Sequence, residues 1–313
     1  MLVAEESAGA QTLKTLIDSN AQVVAVLTSA IDDDRGAISG LAGRSGIRVL
    51  PAELVRDPSL ADELYALETD ILLNVYSLYV VSREILEAPR IGSFNLHPGP
   101  LPQYAGLLAP SWAIYNGERE HGVTLHWMEP EIDTGAVVYE TSFPIGDGDT
   151  GISVSLACVR LGVPLLFRLL EDAQSDARSI PATPQDLALR RYYRNAPPHG
   201  GRLIWGLPAQ EIARFVRACD YFPFTSPWGH PRAMLGETEI AVLKASPSEL
   251  SCDAPPGTVG PWSTIDAVPV ATGDRWLLVH LLKIAGARRR AHEVLEAGAR
   301  LHDGLPASNG GRG

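Results

Sequence analysis

The stretch that decides the fold is DILLNVYSLYVVSREILEAPRIGSFNLH, residues Asp70–His97. Asp70–Val75 is a short apolar run that is typical of a buried strand, Val81–Glu87 predicts a helix, and Ile91–His97 returns to a strand. A strand, a helix and a second strand of these lengths predict a βαβ unit, in which a right-handed crossover joins two parallel strands.

Upstream of this unit the same alternation continues. Apolar, β-branched runs predict strands, and the amphipathic runs between them predict helices. These segments are a helix over Gly9–Ser19, strands over Gln22–Ser29 and Ile47–Leu50, and a helix over Leu60–Leu67. The fold class predicted for this part of the chain is therefore α/β, a Rossmann-like, mostly parallel sheet with helices on both faces.

Downstream of His97 the pattern breaks, because three prolines and two glycines fall within Pro98–Gly106. Proline lacks an N–H group and glycine favours turns, so this segment is predicted to be an irregular loop that is neither helix nor sheet. The elements predicted after it are a helix over Ala109–Tyr115, strands over Gly122–Glu129 and Ala136–Phe143 joined by Pro130–Gly135, and a long helix over Thr150–Ala173.

The last third of the chain has a different character. Residues 174–203 lose periodicity and carry many prolines and glycines, which predicts a linker. Pro208–Cys219 has the spacing of an amphipathic helix, and Glu239–Leu243, Ala267–Ala271 and Trp276–Leu281 predict short strands separated by turns. We therefore predict a first domain over residues 1–175, a linker over 176–205, a small β-rich, barrel-like domain of the OB type over 206–304, and a disordered tail over 305–313.

The composition excludes several classes of protein. The 313 residues are 45% hydrophobic and 20% charged, which is ordinary for a globular protein and too apolar for a disordered one. No stretch approaches about 18 apolar residues, and the amino terminus has no basic or apolar leader region, so we expect no membrane span and no secretory signal. Cys158, Cys219 and Cys252 are odd in number and far apart, which predicts neither a disulfide framework nor a zinc site and fits a cytoplasmic protein.

The charge is distributed unevenly. The chain has 26 Lys and Arg against 37 Asp and Glu, a net charge of −11. From Gly206 onward the two classes number 11 each, so the whole excess of acid lies in the first 205 residues. A large nucleic-acid footprint needs clustered Lys and Arg, which an acidic chain provides only if they are concentrated on one local face.

The first chemical motif is Asn95-Leu96-His97 at the end of a predicted parallel strand. Side chains alternate along a strand, so Asn95 and His97 point to the same face, and open α/β sheets bind ligands at this edge. An Asn amide can donate to a developing oxyanion, and an imidazole can accept or relay a proton near neutral pH. The alternative is that both side chains simply cap the proline-rich loop that follows.

The second motif is Asp133, in the turn Glu131-Ile132-Asp133-Thr134-Gly135. An Asp in a tight turn often accepts only backbone N–H bonds. It can also orient an imidazole and favour its protonated form. The sequence separation between Asp133 and His97 does not show whether the two side chains meet.

Four segments, in their order and spacing, resemble the folate-dependent formyltransferases, the superfamily that includes methionyl-tRNA formyltransferase and the glycinamide ribonucleotide and sugar N-formyltransferases. The resemblance covers residues 10–175, and a weaker one covers Ile204–Gly298. The four segments are FNLHPGPLPQYAG (Phe94–Gly106), APSWAIYNGE (Ala109–Glu118), GVTLHWM (Gly122–Met128) and IDTGAVV (Ile132–Val138).

The resemblance implies an N-formyltransferase that takes its formyl group from 10-formyltetrahydrofolate and needs no metal. The catalytic Asn, His and Asp of the family fall on Asn95, His97 and Asp133, so residues 1–175 would be the catalytic domain. His121 and His126 are interpreted as surface or packing residues. The positions that match the folate pocket of the family are Tyr79, Val80, Val81, Glu131, Ile132 and Asp133.

The formyl acceptor is predicted from the charge of the second domain and from the sequence of the loop after His97. The tRNA enzymes usually carry basic residues in the linker and second domain, whereas here that domain is neutral and Arg190, Arg191, Arg194, Arg202 and Arg288–Arg290 are the available clusters. The segment Tyr104–Trp112 is similar to formyltransferases of specialised peptide metabolism. The leading hypothesis is therefore a small-molecule acceptor, an N-hydroxyornithine-type siderophore precursor, with no nucleic-acid or membrane partner. Sugar-nucleotide amines and methionyl-tRNA are the alternatives.

Two further points bear on the resemblance. Members of the family usually open with a full first strand, whereas only Met1–Ala4 (MLVA) precede Glu5 here, so the first strand is predicted to be truncated or unusually short. A folate-binding module without catalysis, or a hydrolase that releases formate, could share the same motifs. Intact Asn95, His97 and Asp133 argue against the first of these.

Overall fold

The computed structural model describes residues 1–19, 21–29, 37–262 and 265–304, so the predicted tail lies outside the described residues. The chain divides into two compact units. The first comprises Met1–Ala109, Glu120–Phe143 and Ser155–Tyr193. The second comprises Pro110–Arg119, Pro144–Val154 and the chain from Arg194 onward.

The helices and strands follow the predicted alternation over the first part of the chain. The strands are β1 Leu2–Ala4, β2 Ala25–Thr28, β3 Arg48–Pro51, β4 Ile71–Val75, β5 Gly92–His97, β6 Ala105–Gly106, β7 Glu120–Trp127, β8 Val137–Pro144, β9 Tyr192–Tyr193, β10 Arg232–Leu235, β11 Thr238–Ser251, β12 Val268–Ala271, β13 Arg275–Ile284, β14 Ala287–Arg290 and β15 Leu301–Asp303. The α-helices are α1 Glu6–Asp18, α2 Ala37–Arg44, α3 Leu60–Ala66, α4 Arg83–Glu87, α5 Ala109–Asn116, α6 Gly151–Asp176 and α7 Ala209–Ala218. Single 3₁₀ turns lie at Ala52–Arg56, Ala177–Ser179, Leu187–Leu189, Pro198–Gly201 and Ala291–Glu293.

The first unit is built on a seven-stranded sheet in the order β3-β2-β1-β4-β5-β7-β8. Strands β1 to β5 pair in parallel, and β7 runs antiparallel to β5. The predicted Rossmann-like, mostly parallel sheet is confirmed. The short β1 lies between β2 and β4, inside the sheet and not at its edge.

Apolar side chains cover both faces of this sheet, because residues alternate across each strand. Leu73 and Val75 of β4 pack on one face in a core that α1, α2 and α6 complete. Leu72 of the same strand packs on the other face with residues of α3 and α4. The helices on both faces that the sequence predicts are therefore present.

The proline-rich loop after β5 differs from the prediction at its end. Ala105–Gly106 form β6, which pairs in parallel with β9. The sequence predicts a linker without regular structure for the segment that contains β9. Both runs are two residues long and carry no periodicity, so only their pairing in three dimensions reveals them as strands.

The second unit contains an antiparallel sheet in the order β12-β13-β11-β10-β15, with β14 paired to β13. Helix α7 contributes Ile212, Ala213 and Val216 to the core of this unit, which confirms the amphipathic helix predicted there. The register of β11 against β13 shifts at several points, and such irregularities bend a sheet. This is the β-rich, barrel-like region that the sequence predicts after the linker.

Helix α6 is more apolar than the sequence analysis expected of any segment. By length and composition alone, Gly151–Ser179 is apolar enough to cross a bilayer. In the first unit, however, Cys158, Leu166 and Leu169 of this helix are fully buried in the protein core. Part of this apolar helix therefore lies in the core of the first unit.

Candidate active site

Register places a row of polar side chains across three neighbouring strands. Asn74 of β4 lies beside Asn95 of β5, and Asn95 lies opposite His126 of β7. His97 and Thr124 form the next cross-strand pair, two residues further along β5. Since side chains alternate, all five point to one face at the carboxyl end of the parallel strands, where open α/β sheets bind ligands.

The amide of Asn95 is held in one orientation. Asn74 Nδ2 donates to Asn95 Oδ1 over 2.9 Å, and Asn95 Nδ2 lies 3.1 Å from His126 Nε2. His126 Nδ1 lies 2.6 Å from the carbonyl oxygen of Trp127, which only accepts, so Nδ1 carries the hydrogen and Nε2 accepts from Asn95. One N–H of Asn95 is thereby given to His126, and the other is directed toward Asp133.

The ring of His97 is 3% exposed and is fixed by the loop that follows it. Its Nε2 lies 2.7 Å from the carbonyl oxygen of Tyr104, so Nε2 carries a hydrogen. Its Nδ1 lies 3.6 Å from Asp133 Oδ2. This distance suits an ion pair and exceeds a normal hydrogen bond, so Nδ1 is left to contact a substrate atom.

Asp133 is buried and has a left-handed backbone conformation, with φ of 58°. Its Oδ2 accepts the N–H of Gly106 over 2.7 Å, and its Oδ1 lies 3.5 Å from both Asn95 Nδ2 and His126 Nε2. Burial alone would raise the pKa of Asp133. The positive charge of His97, and with it the N–H of Gly106, acts against burial, and the pKa of Asp133 lies well below its usual range.

Gly106 is required by this arrangement. Its φ is 92°, and a Cβ at this position would lie 2.3 Å from the carbonyl oxygen of Tyr193. Only glycine therefore lets the loop approach β9 while its N–H points at Asp133.

The structure brings Asn95, His97 and Asp133 together, which their sequence spacing does not show. It also corrects the interpretation of His126, which is 2% exposed and contacts both Asn95 and Asp133. The available signal is the spacing of Thr124 and His126 two residues apart, which places both on the face of β7 that meets β5. Without the register, nothing in the sequence aligns His126 with Asn95.

His121 is a packing residue, as interpreted from the sequence. It is 1% exposed and its Nε2 lies 2.9 Å from the carbonyl oxygen of Pro98. Burial is the main cause that lowers the pKa of His121 to about 4. Among the residues that the structure describes, no group of three or more His, Cys, Asp or Glu side chains could hold a metal ion.

The residues predicted to hold folate lie on two loops. In the loop after β4, Val80 is 51% exposed, Tyr79 is half-buried, and the side chain of Val81 is in the core. In the turn before Asp133, Ile132 is 40% exposed and Glu131 is also exposed. A cavity of about 540 Å³ adjoins this turn, and its lining includes Glu131, Thr134 and Gly135. Of the residues predicted to hold folate, this lining contains Glu131 and lacks Tyr79, Val80, Val81, Ile132 and Asp133.

Comparisons with known proteins agree with this geometry. The family described as formyl transferase matches residues 3–167, and the formyl transferase C-terminal domain matches residues 197–298. The methionyl-tRNA formyltransferase of Roseiflexus castenholzii is 31% identical over 93% of this chain and 92% of its own length. The methionyl-tRNA formyltransferase of Synechococcus sp. strain JA-3-3Ab is 30% identical over 85% of this chain and 81% of its own length.

Solved structures share the fold at lower identity. An N-formyltransferase from Helicobacter canadensis, in complex with folinic acid and dTDP-3-aminofucose, is 19% identical, with a TM-score of 0.64 over 89% of this chain and 97% of that chain. HypX from Aquifex aeolicus, in complex with tetrahydrofolic acid, is 22% identical, with a TM-score of 0.60 over 86% of this chain and 46% of that chain.

Proposed function

Because the chain belongs to the formyl transferase family and is a formyl-transfer enzyme, we propose that it moves the formyl group of 10-formyltetrahydrofolate to the nitrogen of a small amine or hydroxylamine. The observation that carries the proposal is the convergence of Asn95 Nδ2 and His97 Nδ1 on the ionised Asp133 carboxylate, at 3.5 and 3.6 Å. The two nitrogens can donate to an acyl oxygen on which negative charge develops, and the Asp133 carboxylate orients His97 for this role.

In this mechanism a neutral nitrogen of the acceptor attacks the formyl carbon. A C–N bond forms and the formyl oxygen becomes negative, and Asn95 and His97 donate hydrogen bonds to it. The proton leaves the attacking nitrogen and reaches the folate nitrogen, either through His97 or through a water that His97 and Asp133 hold. The bond between the formyl carbon and the folate nitrogen then breaks, and tetrahydrofolate leaves as the neutral amine. Asp133 stays ionised and keeps His97 oriented, because its pKa lies well below the usual range.

The formyl donor is assigned to the loops that carry Tyr79, Val80, Val81, Glu131, Ile132 and Asp133. The exposed side chains of Val80 and Ile132 would pack against the flat ring of the folate, and backbone N–H and C=O groups of both loops would form hydrogen bonds with its polar edge. The relatives in complex with tetrahydrofolic acid and folinic acid are consistent with a folate donor.

The acceptor is proposed to be an N-hydroxyornithine-type siderophore precursor. A hydroxylamine nitrogen is weakly basic and is neutral at physiological pH. It can therefore attack the formyl carbon without first losing a proton to a general base. A tRNA would need a cluster of basic side chains, and two of the arginines near the linker already bind groups of the protein. Arg190 donates to the carbonyl oxygen of Ile132 over 2.8 Å and lies over the ring of Tyr192, and the Nε of Arg202 donates to the carbonyl oxygen of His199.

A second candidate is methionyl-tRNA, which specific observations favour. Relatives at 30–31% identity over most of the chain are methionyl-tRNA formyltransferases. Arg288, Arg289 and Arg290 form an exposed strand in the second unit, which would suit a phosphate backbone. Aminosugar nucleotides are a third candidate, from the ligand of the Helicobacter canadensis structure.

The experiment offers purified protein and 10-formyltetrahydrofolate to four acceptors in parallel: N-hydroxyornithine, a dTDP-aminosugar, a UDP-aminosugar and methionyl-tRNA. Product mass and release of tetrahydrofolate are both measured. We expect formylated hydroxyornithine, and turnover of charged tRNA alone would refute the small-molecule acceptor. Tetrahydrofolate and formate without any formylated acceptor would instead identify a hydrolase, and donor binding without turnover would identify a folate-binding module. We place the enzyme in the cytoplasm, with no membrane partner.

A further inference from the structure

We propose that residues 185–193, here called the clamp segment, position the reaction centre by binding both loops that complete it, an inference that rests on the proposed function. One loop is the turn that carries Asp133. The other is the loop after β5, which supplies the Tyr104 carbonyl and the Gly106 N–H. The sequence assigns the clamp segment to a linker, yet its side chains and backbone contact both loops.

The turn of Asp133 is held by side-chain donors of the clamp segment. Gln185 Nε2 donates to the carbonyl oxygens of Asp133 and Gly135, over 3.1 and 2.7 Å. Arg190 Nη2 donates to the carbonyl oxygen of Ile132 over 2.8 Å. Asp133 has a positive φ, which is uncommon for a residue with a side chain, so these donors stabilise a backbone conformation that is costly by itself.

The loop after β5 is held by the backbone of the clamp segment. Ala105 N donates to Arg191 O over 3.1 Å, and Leu107 N donates to Tyr193 O over 2.9 Å. The rings of Tyr104 and Tyr193 stack, with centroids 5.0 Å apart and planes 13° from parallel. These contacts flank the two backbone groups that the loop gives to the site.

The consequence is that one segment sets the distance between His97 and Asp133 from both sides. The Tyr104 carbonyl fixes the ring of His97, the Gly106 N–H fixes Oδ2 of Asp133, and Gln185 fixes the backbone that carries Asp133. Gln185 and Arg190 are only partly buried, and their bonds run to backbone carbonyls of a single turn. Loss of their bonds should therefore affect the chemistry more than the stability of the fold.

The test replaces Gln185 by Glu, which has nearly the same shape but, when ionised, presents two acceptors to two carbonyl oxygens. We expect Gln185→Glu to lower kcat at least tenfold at pH 8, with an unfolding midpoint close to that of the wild type. As the pH falls, the introduced carboxylate becomes protonated and regains one O–H donor, so the ratio of variant to wild-type kcat should rise toward pH 5.5. Gln174→Glu, on the exposed surface of α6, makes the same charge change and should leave kcat unaltered at both pH values.

Gln185→Met removes the donors without adding charge, so it should lower kcat by a factor that is independent of pH. Wild-type kcat in both Gln185 variants would overturn the proposal. So would a loss in Gln185→Glu that is independent of pH and accompanied by a lower unfolding midpoint, since that is the signature of a merely structural residue. Absence of turnover by the wild-type protein with every acceptor would count against the proposed function and not against the clamp segment alone.

Discussion

Replacement of Asp133 by Asn is the sharpest test of the proposed mechanism. The amide has the shape of the carboxylate and keeps an oxygen for the N–H of Gly106, so the turn should stay folded. What it removes is a negative charge 3.6 Å from His97 Nδ1, in a place where both side chains are almost fully buried.

The expected size of the effect follows from that distance. With an effective dielectric constant of about 20, two unit charges 3.6 Å apart interact by about 4–5 kcal/mol. The amide dipole of Asn recovers part of this energy, so we expect kcat to fall by about 10²–10³-fold, each 1.36 kcal/mol being worth about tenfold.

The assay is initial-rate formation of the formylated acceptor at saturating 10-formyltetrahydrofolate, with the unfolding midpoint measured on the same samples. Asp62→Asn is the matched control, because it makes the same charge change on the exposed surface of α3. It should keep kcat within about threefold of the wild type, an effect of less than about 1 kcal/mol. If Asp133→Asn retains more than a tenth of wild-type kcat while it is folded, the charge on Asp133 is not what organises His97.

Three further outcomes are expected. Asn95→Ala should lower kcat by about 10²–10³-fold, the usual cost of one oxyanion donor. Stopped assays on the folded variant measure kcat, and a wild-type value would contradict the prediction. His126→Gln places an acceptor oxygen near the position of Nε2, so its kcat should stay within about tenfold of the wild type. His126→Asn leaves the Asn95 amide without that acceptor, so its kcat should fall by about 10–100-fold, or about 1–3 kcal/mol. His121 has a folded pKa of about 4 against about 6.5 in an unfolded chain, so its contribution is complete above pH 6.5 and about 3 kcal/mol of stability is lost as the pH falls to 4. Urea titrations of wild type and His121→Gln at pH 7 and 4.5 measure this difference, and equal losses in both proteins would contradict it.

Much of the fold could be predicted because it depends on local patterns. The apolar pattern shows which side chains are buried in runs such as Asp70–Val75 and Pro208–Cys219. Strand β4 and helix α7 lie where these runs predict them. The strands β6 and β9 could not be predicted, because two residues show no periodicity and their pairing joins positions far apart in the chain.

The candidate site divides in the same way. The sequence by itself determined the family and the α/β class, and it predicted Asn95, His97 and Asp133 as catalytic residues, since these depend on residue types in a fixed order. Only the tertiary structure decided that His126 belongs with them and that residues 185–193 hold both loops. Those contacts depend on strand register, on a left-handed backbone at Asp133 and on hydrogen bonds to backbone carbonyls. Every residue has a backbone carbonyl, so the sequence does not show which carbonyls accept these hydrogen bonds.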